Sequence, residues 1–550
     1  MLFIKTVKIN NLEYDCGQIN IVLGPNNSGK STFLRELSSI VNLSFNPEFR
    51  WLNGAKVEIS GLRTALQDMM PNLFTASSFD EVREYRNTNP RFFSHQIGNG
   101  GGYHSEEFYQ KALASTDDPE IVEITTDGTL PTRTAVITKF ALMKSVATEM
   151  CEQRIQISSG YYETQVTRIL DDPGDIIGFF WRNPDDFSRV QDSMREAFGI
   201  DIGFDDLIQT EHPVRILPQQ QITGDNRLPA TAKEWERNSP LLREQGDGIK
   251  AYYKILLSIE DKTNRVILVD EPESFLHPPQ RRDLGRSVVK LAHDDSKQLF
   301  IATHDSEFLR GVLDSNMDLK IFYINTRNGT QSVELITSAD IRNLTAQTGT
   351  TLKSNLLNER VLNSFFYKKT VLCESENDRT FYENAAALYH WSIFQDVNFI
   401  GFSGKELARP IFEKLKALHI NVALVVDIDF LLDGRLPSVT SQPVRNNFNA
   451  LRQKLTSFLS RGTTNSTQVE QNRKAFKKIG YKFLQQDQAL VADFDEVISL
   501  LKAEGIHIVR IGEMESFTES NKNDLDNALT VIRNIRKRHL NTFLLDVLAQ

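Results

Sequence analysis

Eight residues, Gly24-Pro25-Asn26-Asn27-Ser28-Gly29-Lys30-Ser31, fit the spacing GxxxxGK[ST] in full. The pattern suits a nucleoside triphosphate. Glycines let backbone N–H groups wrap phosphate oxygens, and the N-terminus of a following helix adds partial positive charge. In such a loop Lys30 reaches the β- and γ-phosphates and Ser31 ligates Mg²⁺. Asn26, Asn27, Ser28, Gly29 and Thr32 complete the cradle. Val266-Ile267-Leu268-Val269-Asp270-Glu271 then runs four apolar residues into two acids, 240 residues after Lys30. A buried strand ending this way sets both carboxylates at the edge of a parallel sheet where ligands bind. Asp270 suits the Mg²⁺ shell, and Glu271 suits the general base that polarises an attacking water. Ile301-Ala302-Thr303-His304-Asp305 follows another strand, and His304 there can touch the γ-phosphate and sense its loss. A satisfied structural histidine is the alternative. Gln245-Gly246-Asp247-Gly248 precedes a helix 22 residues ahead of Asp270. Gly246 and Gly248 either present backbone N–H groups to a phosphate or belong to a plain helix cap.

A second set of acids lies further on. Val371-Leu372-Cys373-Glu374-Ser375-Glu376-Asn377-Asp378 ends a strand and opens a helix. Asp427 and Asp429 close the apolar strand NVALVVDID, 53 residues after Glu374, and Glu513 and Glu515 follow the short strand Ile506–Ile511. Acids at the ends of three strands can converge on one sheet edge. Such hard oxygen donors suit Mg²⁺ or Mn²⁺, and two ions about 4 Å apart would activate water and steady the leaving oxygen of a phosphodiester. The structural alternative for each acidic motif is a solvated strand end or a helix cap. Arg473, Lys474, Lys477, Lys478 and Lys482 interleave with Phe476 and Tyr481, and Arg533, Arg536, Lys537 and Arg538 form a second basic run. Solvated helix faces are the commoner use of such runs. The other use is contact with backbone phosphates, with the aromatic rings stacked on exposed bases.

The elements that must carry these residues read as α/β. Ile19–Leu23 is a strand, and Ser31–Val41 has helical periodicity through Phe33, Leu34, Leu37 and Ile40. A helix (249–260), a strand (265–270), a helix (280–293) and a strand (298–302) follow in order, which predicts a parallel sheet. A second α/β pattern begins at Lys369, with strands at 369–373, 397–402 and 422–427 and helices at 378–389 and 407–418. The expected domains are residues 1–345 (core 1–75 and 239–345, with an insertion at about 80–235), a helical linker at 346–367, and 368–550. The polar stretch at 460–474 interrupts the second pattern. Across 550 residues, 63 basic side chains against 72 acidic ones give a net charge of −9, which excludes a chain that coats nucleic acid by bulk charge. A local basic groove is still allowed. No apolar run approaches the roughly 20 residues of a membrane span. The three cysteines, Cys16, Cys151 and Cys373, match no zinc or disulfide spacing and read as reduced thiols of a cytoplasmic protein.

Together the first-domain motifs resemble the ABC-type ATPase heads of the SMC, Rad50, RecF and OLD group. GPNNSGKS is similar to that group's Walker A motif, VILVDEPE to its Walker B motif and ATHD to its switch histidine, while EPESFLHP is typical of the OLD and RecF side. QGDG stands at the signature position, with Gln245 where the family more often has serine. The resemblance implies a homodimer or higher homo-oligomer in which the signature of one head completes the site of another. The C-terminal motifs resemble a TOPRIM domain: CESEND its glutamate motif, with Ser375 in place of the usual glycine, and Asp427/Asp429 its DxD motif. An ABC head followed by TOPRIM is the layout of OLD-family nucleases, including the Gabija ATPase-nuclease. By that resemblance Glu515, with Glu513, would add a metal ligand, and Lys405 in Ser403-Gly404-Lys405 is similar to a glycine–lysine element that contacts phosphate.

The expectation is therefore an ATP- and Mg²⁺- (or Mn²⁺-) dependent DNA endonuclease or nickase whose nucleotide state gates the TOPRIM site. Its implied setting is defence against phage or foreign DNA, with DNA as substrate. A neighbouring defence protein or nucleic acid is a further partner class, and no membrane is expected. The rival is an SMC- or RecF-like clamp or sensor with a degenerate TOPRIM domain; the lack of long heptads argues against coiled-coil arms.

Overall fold

The structure is a computed structural model. It describes residues 2–41, 49–60, 63, 113–114, 116–125, 148–152, 184–204, 214–217, 239–260, 266–327, 330–346, 352–402, 405–462, 465–521, 524–535 and 537–548. The chain divides into two compact units, Met1–Ser338 and Ala339–Gln550.

The first unit holds two sheets. One is antiparallel, in the order β2 (Leu12–Asp15), β1 (Leu2–Ile9), β4 (Leu52–Ile59), β5 (Glu120–Thr125). The other runs β12 (Thr330–Thr337), β11 (Leu319–Arg327), β3 (Ile19–Leu23), β10 (Gln298–Ala302), β9 (Val266–Asp270), β6 (Thr148–Glu152). All neighbours in the second sheet are parallel except the β11–β12 hairpin. β3 and β10 are buried along their whole length, which is why they read as unbroken apolar runs rather than alternating ones. The helix Lys30–Val41 joins the two sheets. Phe33, Leu34, Leu37 and Ile40 share one apolar core with Ile4 and Val57 of the antiparallel sheet and Leu268, Phe300 and Phe322 of the parallel one. Glu36, on the same helix, accepts the backbone N–H groups of Arg50, Trp51 and Leu52 at 2.6–2.9 Å. That clamp ties the entry of β4 to the helix that opens the glycine loop.

The stretch 80–235, expected as an insertion, also builds the unit. It supplies β5 and β6 to the two sheets and the helix Pro184–Phe198, whose Arg189 pairs with Glu260 and, at 3.1 Å, with Asp295. A hairpin of β7 (Asp201–Phe204) and β8 (Val214–Leu217) follows that helix. Most of the remainder of 80–235 lies outside the described residues.

The second unit is a four-stranded parallel sheet in the order β14 (Val397–Gly401), β13 (Lys369–Cys373), β15 (Val422–Val426), β16 (Ile506–Ile508). Helices flank it, and Phe381, Tyr382, Ala385, Phe517 and Leu544 pack with Val371 and Val425 in one core. The helix Leu352–Asn363, in the expected linker, docks on this unit: Asn398 Nδ2 donates to Arg360 O at 2.9 Å. The polar stretch at 460–474 contributes to the helix Ser466–Ile479, whose only wholly buried side chain is Phe476.

Candidate functional site

The glycine loop connects β3 to the helix Lys30–Val41 as the motif requires. Gly29 has φ +101° and lies close to Trp51, so that a Cβ there would stand 2.7 Å from the indole Nε1. Asn26 and Asn27 are exposed, while Ser28 and Lys30 are buried. Lys30 Nζ donates to the carbonyls of Gly24 and Pro25 at 2.9 and 3.0 Å, inside its own loop. Burial pulls the Lys30 ammonium below its ordinary pKa, against the opposing pull of Glu271, Glu273 and Asp270. Register places Ala302 of β10 beside both Val22 of β3 and Asp270 of β9, so the loop, the Asp270–Glu271 pair and His304 share one sheet edge. Burial raises the Asp270 carboxyl above the usual carboxylate range, a hydrogen bond from Ser31 offsets part of this, and Glu271 adds to the rise. The two residues expected to share Mg²⁺ are thus in contact.

His304 Nδ1 stands 3.0 Å from Glu273 Oε1 and 3.6 Å from Glu271 Oε1. Glu273 also accepts the His304 backbone N–H at 2.9 Å, and its carboxylate raises the imidazole pKa above the ordinary histidine value. Sequence reasoning missed Glu273. The signal was present in the alternate acids of Asp270-Glu271-Pro272-Glu273, since a short turn after a strand can return the second glutamate to the site. Gly246 is exposed and Gly248 half-buried at the start of the helix Asp247–Glu260. Phe275 O lies 2.5 Å from where a Gly248 Cβ would stand, so this helix start abuts the loop after Glu271.

In the second unit Glu374 is buried immediately after β13. Ser375, in the place where glycine is usual, caps the helix Glu376–Tyr389: its Oγ accepts Asp378 N at 3.1 Å and donates to Asp378 Oδ2 at 2.8 Å. Asp378 Oδ2 also accepts Ser375 N at 3.0 Å, so this carboxylate serves the cap as well as facing the other acids. Burial raises its pKa, with Glu515 and Glu513 adding to the rise. Asp427 ends β15. Burial holds its carboxyl well above the usual range, followed by the charges of Glu374, Asp378, Asp429 and Glu513. Ile428 N donates to Gly512 O at 3.1 Å, which seats the 427–429 turn on the segment leading to Glu513 and Glu515. Glu374 after β13, Asp427 and Asp429 after β15, and Glu513 and Glu515 on the turn beyond β16 thus lie within electrostatic reach of one another. Among the described residues, no three His, Cys, Asp or Glu side chains are gathered closely enough to hold a metal ion. Their chemistry nevertheless fits a hard divalent cation: all are carboxylates, and their mutual repulsion is what a cation relieves.

Lys474, Lys478 and Lys482 of the basic run are exposed, as on a solvated face, and Lys477 departs from it. Lys477 Nζ sits 2.7 Å from Asp429 Oδ2, and Arg473 pairs with Asp433 at 2.6 Å. Ser403 and Gly404 lie outside the described residues, as does Arg536, and Lys405 is described only as the start of the helix Lys405–Ala417.

A P-loop nucleotide site at the edge of a largely parallel sheet, and a separate parallel sheet edged with carboxylates, are the sites of an α/β chain with an ATPase domain followed by a TOPRIM domain. The family model described as "AAA domain, putative AbiEii toxin, Type IV TA system" matches residues 233–310. The model "Overcoming lysogenization defect protein-like, TOPRIM domain" matches residues 365–429. These two matches, in this order, fit an OLD-family ATPase–TOPRIM fusion, and the pairing supports an ATP-dependent nuclease in general. No curated protein matches the chain. Among solved structures it is similar to the SmcHead bound to the C-winged helix domain of ScpA, with 10% identity, 61% of this chain and 98% of that one covered, and a TM-score of 0.35. It is also similar to the Smc head domain with an extended coiled coil bound to the C-terminal domain of ScpA derived from Pyrococcus furiosus, with 9% identity, coverage of 63% and 99%, and a TM-score of 0.32. The assignment rests on the two domain matches and the sheet order. Among the described residues, no helix is long and apolar enough to cross a membrane.

Proposed function

We propose that the protein is an ATP-binding and ATP-hydrolysing, metal-dependent DNA endonuclease or nickase in which the nucleotide state of the first unit controls cutting by the second. The observation that supports this is the seating of the Asp427–Asp429 turn against the segment leading to Glu513, through Ile428 N and Gly512 O at 3.1 Å, with the charges of Glu374, Asp378, Asp429 and Glu513 all felt at Asp427. Glu374, Asp427, Asp429 and Glu515, with Asp378 and Glu513 beside them, would hold Mg²⁺ or Mn²⁺. A divalent ion bound there supplies Lewis acidity and a water acidic enough to attack a phosphodiester. The chain's own part is to concentrate negative charge that only a cation relieves, and to keep basic side chains alongside for the DNA backbone. In the first unit Lys30 and the loop amides would bind the phosphates, Ser31 and Asp270 the Mg²⁺, and Glu271 would take the proton of the attacking water. His304 would meet the γ-phosphate, and Gly246 and Gly248 would reach the nucleotide of a second copy. Phosphodiester hydrolysis is downhill, so ATP serves to license or restrain the cut rather than to drive it. The setting we infer is a cytoplasmic role in defence against foreign DNA, with homo-oligomers formed through the heads.

That no three His, Cys, Asp or Glu side chains among the described residues are gathered closely enough to hold a metal ion favours a second reading, a DNA clamp or sensor with a silent acidic domain. Supercoiled plasmid incubated with Mg²⁺ or Mn²⁺, with and without ATP, separates the two. Nicked or linear product from wild type, lost in Glu374→Ala and in Asp427→Ala, supports the nuclease. ATP hydrolysis with intact plasmid under every condition supports the clamp.

A further inference from the structure

The helix Ser466–Ile479 is wedged against both acidic turns of the second unit. Its end at Gly480 (φ +55°) lies so close to the 510–512 backbone that a Cβ would stand 2.3 Å from Arg510 O and 2.6 Å from Gly512 N. Gly512 (φ +130°) returns the contact, with Lys477 O 2.5 Å and Lys478 O 2.8 Å from where its own Cβ would be. Tyr481 N donates to Arg510 O at 2.8 Å, and Ser516 Oγ to Lys478 O at 3.2 Å. At the other turn Arg473 pairs with Asp433. Two touching glycines, one backbone bond and one serine-to-backbone bond thus fix where residue 477 starts, and its side chain ends on Asp429. Asp429 is 8% exposed as a side chain, whereas Lys477 is 33% exposed. The acid is enclosed, and its cation reaches it from solvent on a flexible four-carbon stem.

We propose that Lys477 is a positioning residue that serves as the resident counter-ion of Asp429 while no divalent ion is bound, and turns to a DNA backbone phosphate when the ion takes Asp429. The inference rests on the nuclease reading of this site. Lysine suits the exchange because its ammonium is a point charge with three rotatable donors, able to serve a carboxylate and then a phosphate without a fixed fork geometry. Metal loading and grip on the DNA would then be coupled through one side chain: the ion that prepares the chemistry also frees the cation that holds the substrate. Lys474 and Lys478, exposed on the same helix, would extend the contact along the backbone.

The test uses the full-length protein without nucleotide. Mn²⁺ binding is read by the paramagnetic resonance of the free ion, with Glu374→Ala defining the component that belongs to this site. Lys477→Met removes the competitor, so that component should tighten about three- to tenfold. The same variant should bind a labelled 30-base-pair duplex in Ca²⁺ more weakly, with the salt slope of log K reduced by about one. Lys477→Arg keeps the charge at Asp429 and should hold Mn²⁺ affinity closer to wild type than Lys477→Met does, which controls for loss of folding. Mn²⁺ affinity unchanged or weaker in Lys477→Met, beside normal loss in Glu374→Ala, overturns this inference and leaves the nuclease reading standing. Wild type that binds no Mn²⁺ sensitive to Glu374→Ala overturns both.

Discussion

Glu273 and His304 show how one side chain is held for chemistry by another. The imidazole touches a buried carboxylate through Nδ1, and the same carboxylate pins the backbone N–H of residue 304. That leaves Nε2 as the nitrogen free to be aimed by the pair. Glu273→Gln keeps the shape and removes the charge. Expected is a fall in kcat for ATP hydrolysis of about tenfold or more with KM for ATP within about twofold, because the residue positions a group and does not bind nucleotide itself. An unchanged kcat would show that the Glu273 charge does not position His304 for hydrolysis. Glu271→Gln removes the proposed general base and should leave ATP binding intact while cutting turnover far more deeply. Equilibrium nucleotide binding beside steady-state hydrolysis checks the split.

At the scale of elements, the TOPRIM sheet carries a built-in acid sensitivity. His507 lies in the middle of β16, 4% exposed, and burial pushes its pKa from 6.5 down to about 3, with Lys369 and Lys502 adding to the shift. The unfolded chain binds this proton below pH 6.5 and the folded chain does not. Stability tied to His507 is therefore complete above pH 6.5 and lost as the pH falls toward 3, by about 1.4 kcal/mol per pH unit. His507→Phe should move the acid-unfolding midpoint of this unit downward, read by circular dichroism across pH 3–7, while leaving stability at pH 8 within about 1.5 kcal/mol. The helix Ser466–Ile479 is the other element with a testable weakness. Burying one phenylalanine supplies only about 1.5–3 kcal/mol, so its seat depends on the glycine contact beneath it. Gly480→Ala adds a Cβ at φ +55° against backbone that cannot yield, and should cost about 1–3 kcal/mol or more of thermal stability.

On the scale of the whole molecule, two parallel sheets each end in charge that only a bound cation or a cationic side chain relieves: Asp270 and Glu271 in the first unit, Asp427 and its neighbours in the second. With Glu271→Gln blocking turnover, Mg²⁺-ATP should double the mass seen by light scattering, and Lys30→Ala should prevent it. A monomer at every nucleotide state would remove the head-to-head part of the reading. Much of this was legible in the sequence because it is written in short range. β3, β10 and β13 begin and end at the residues that their apolar runs predict, and the glycine loop, Glu374 and the Asp427–Asp429 pair fall at the strand ends where a parallel sheet puts ligands. Those features depend on patterning within a few residues, and burial on both faces enforces them. What only the tertiary structure decided is which distant groups meet: Glu273 with His304, Gly480 against Gly512, and Lys477 on Asp429 across 48 residues. A salt bridge or a close glycine contact leaves no periodicity in the chain. It exists only once two separately formed turns have been brought to the same sheet edge, and the packing that brings them there is a property of the folded whole.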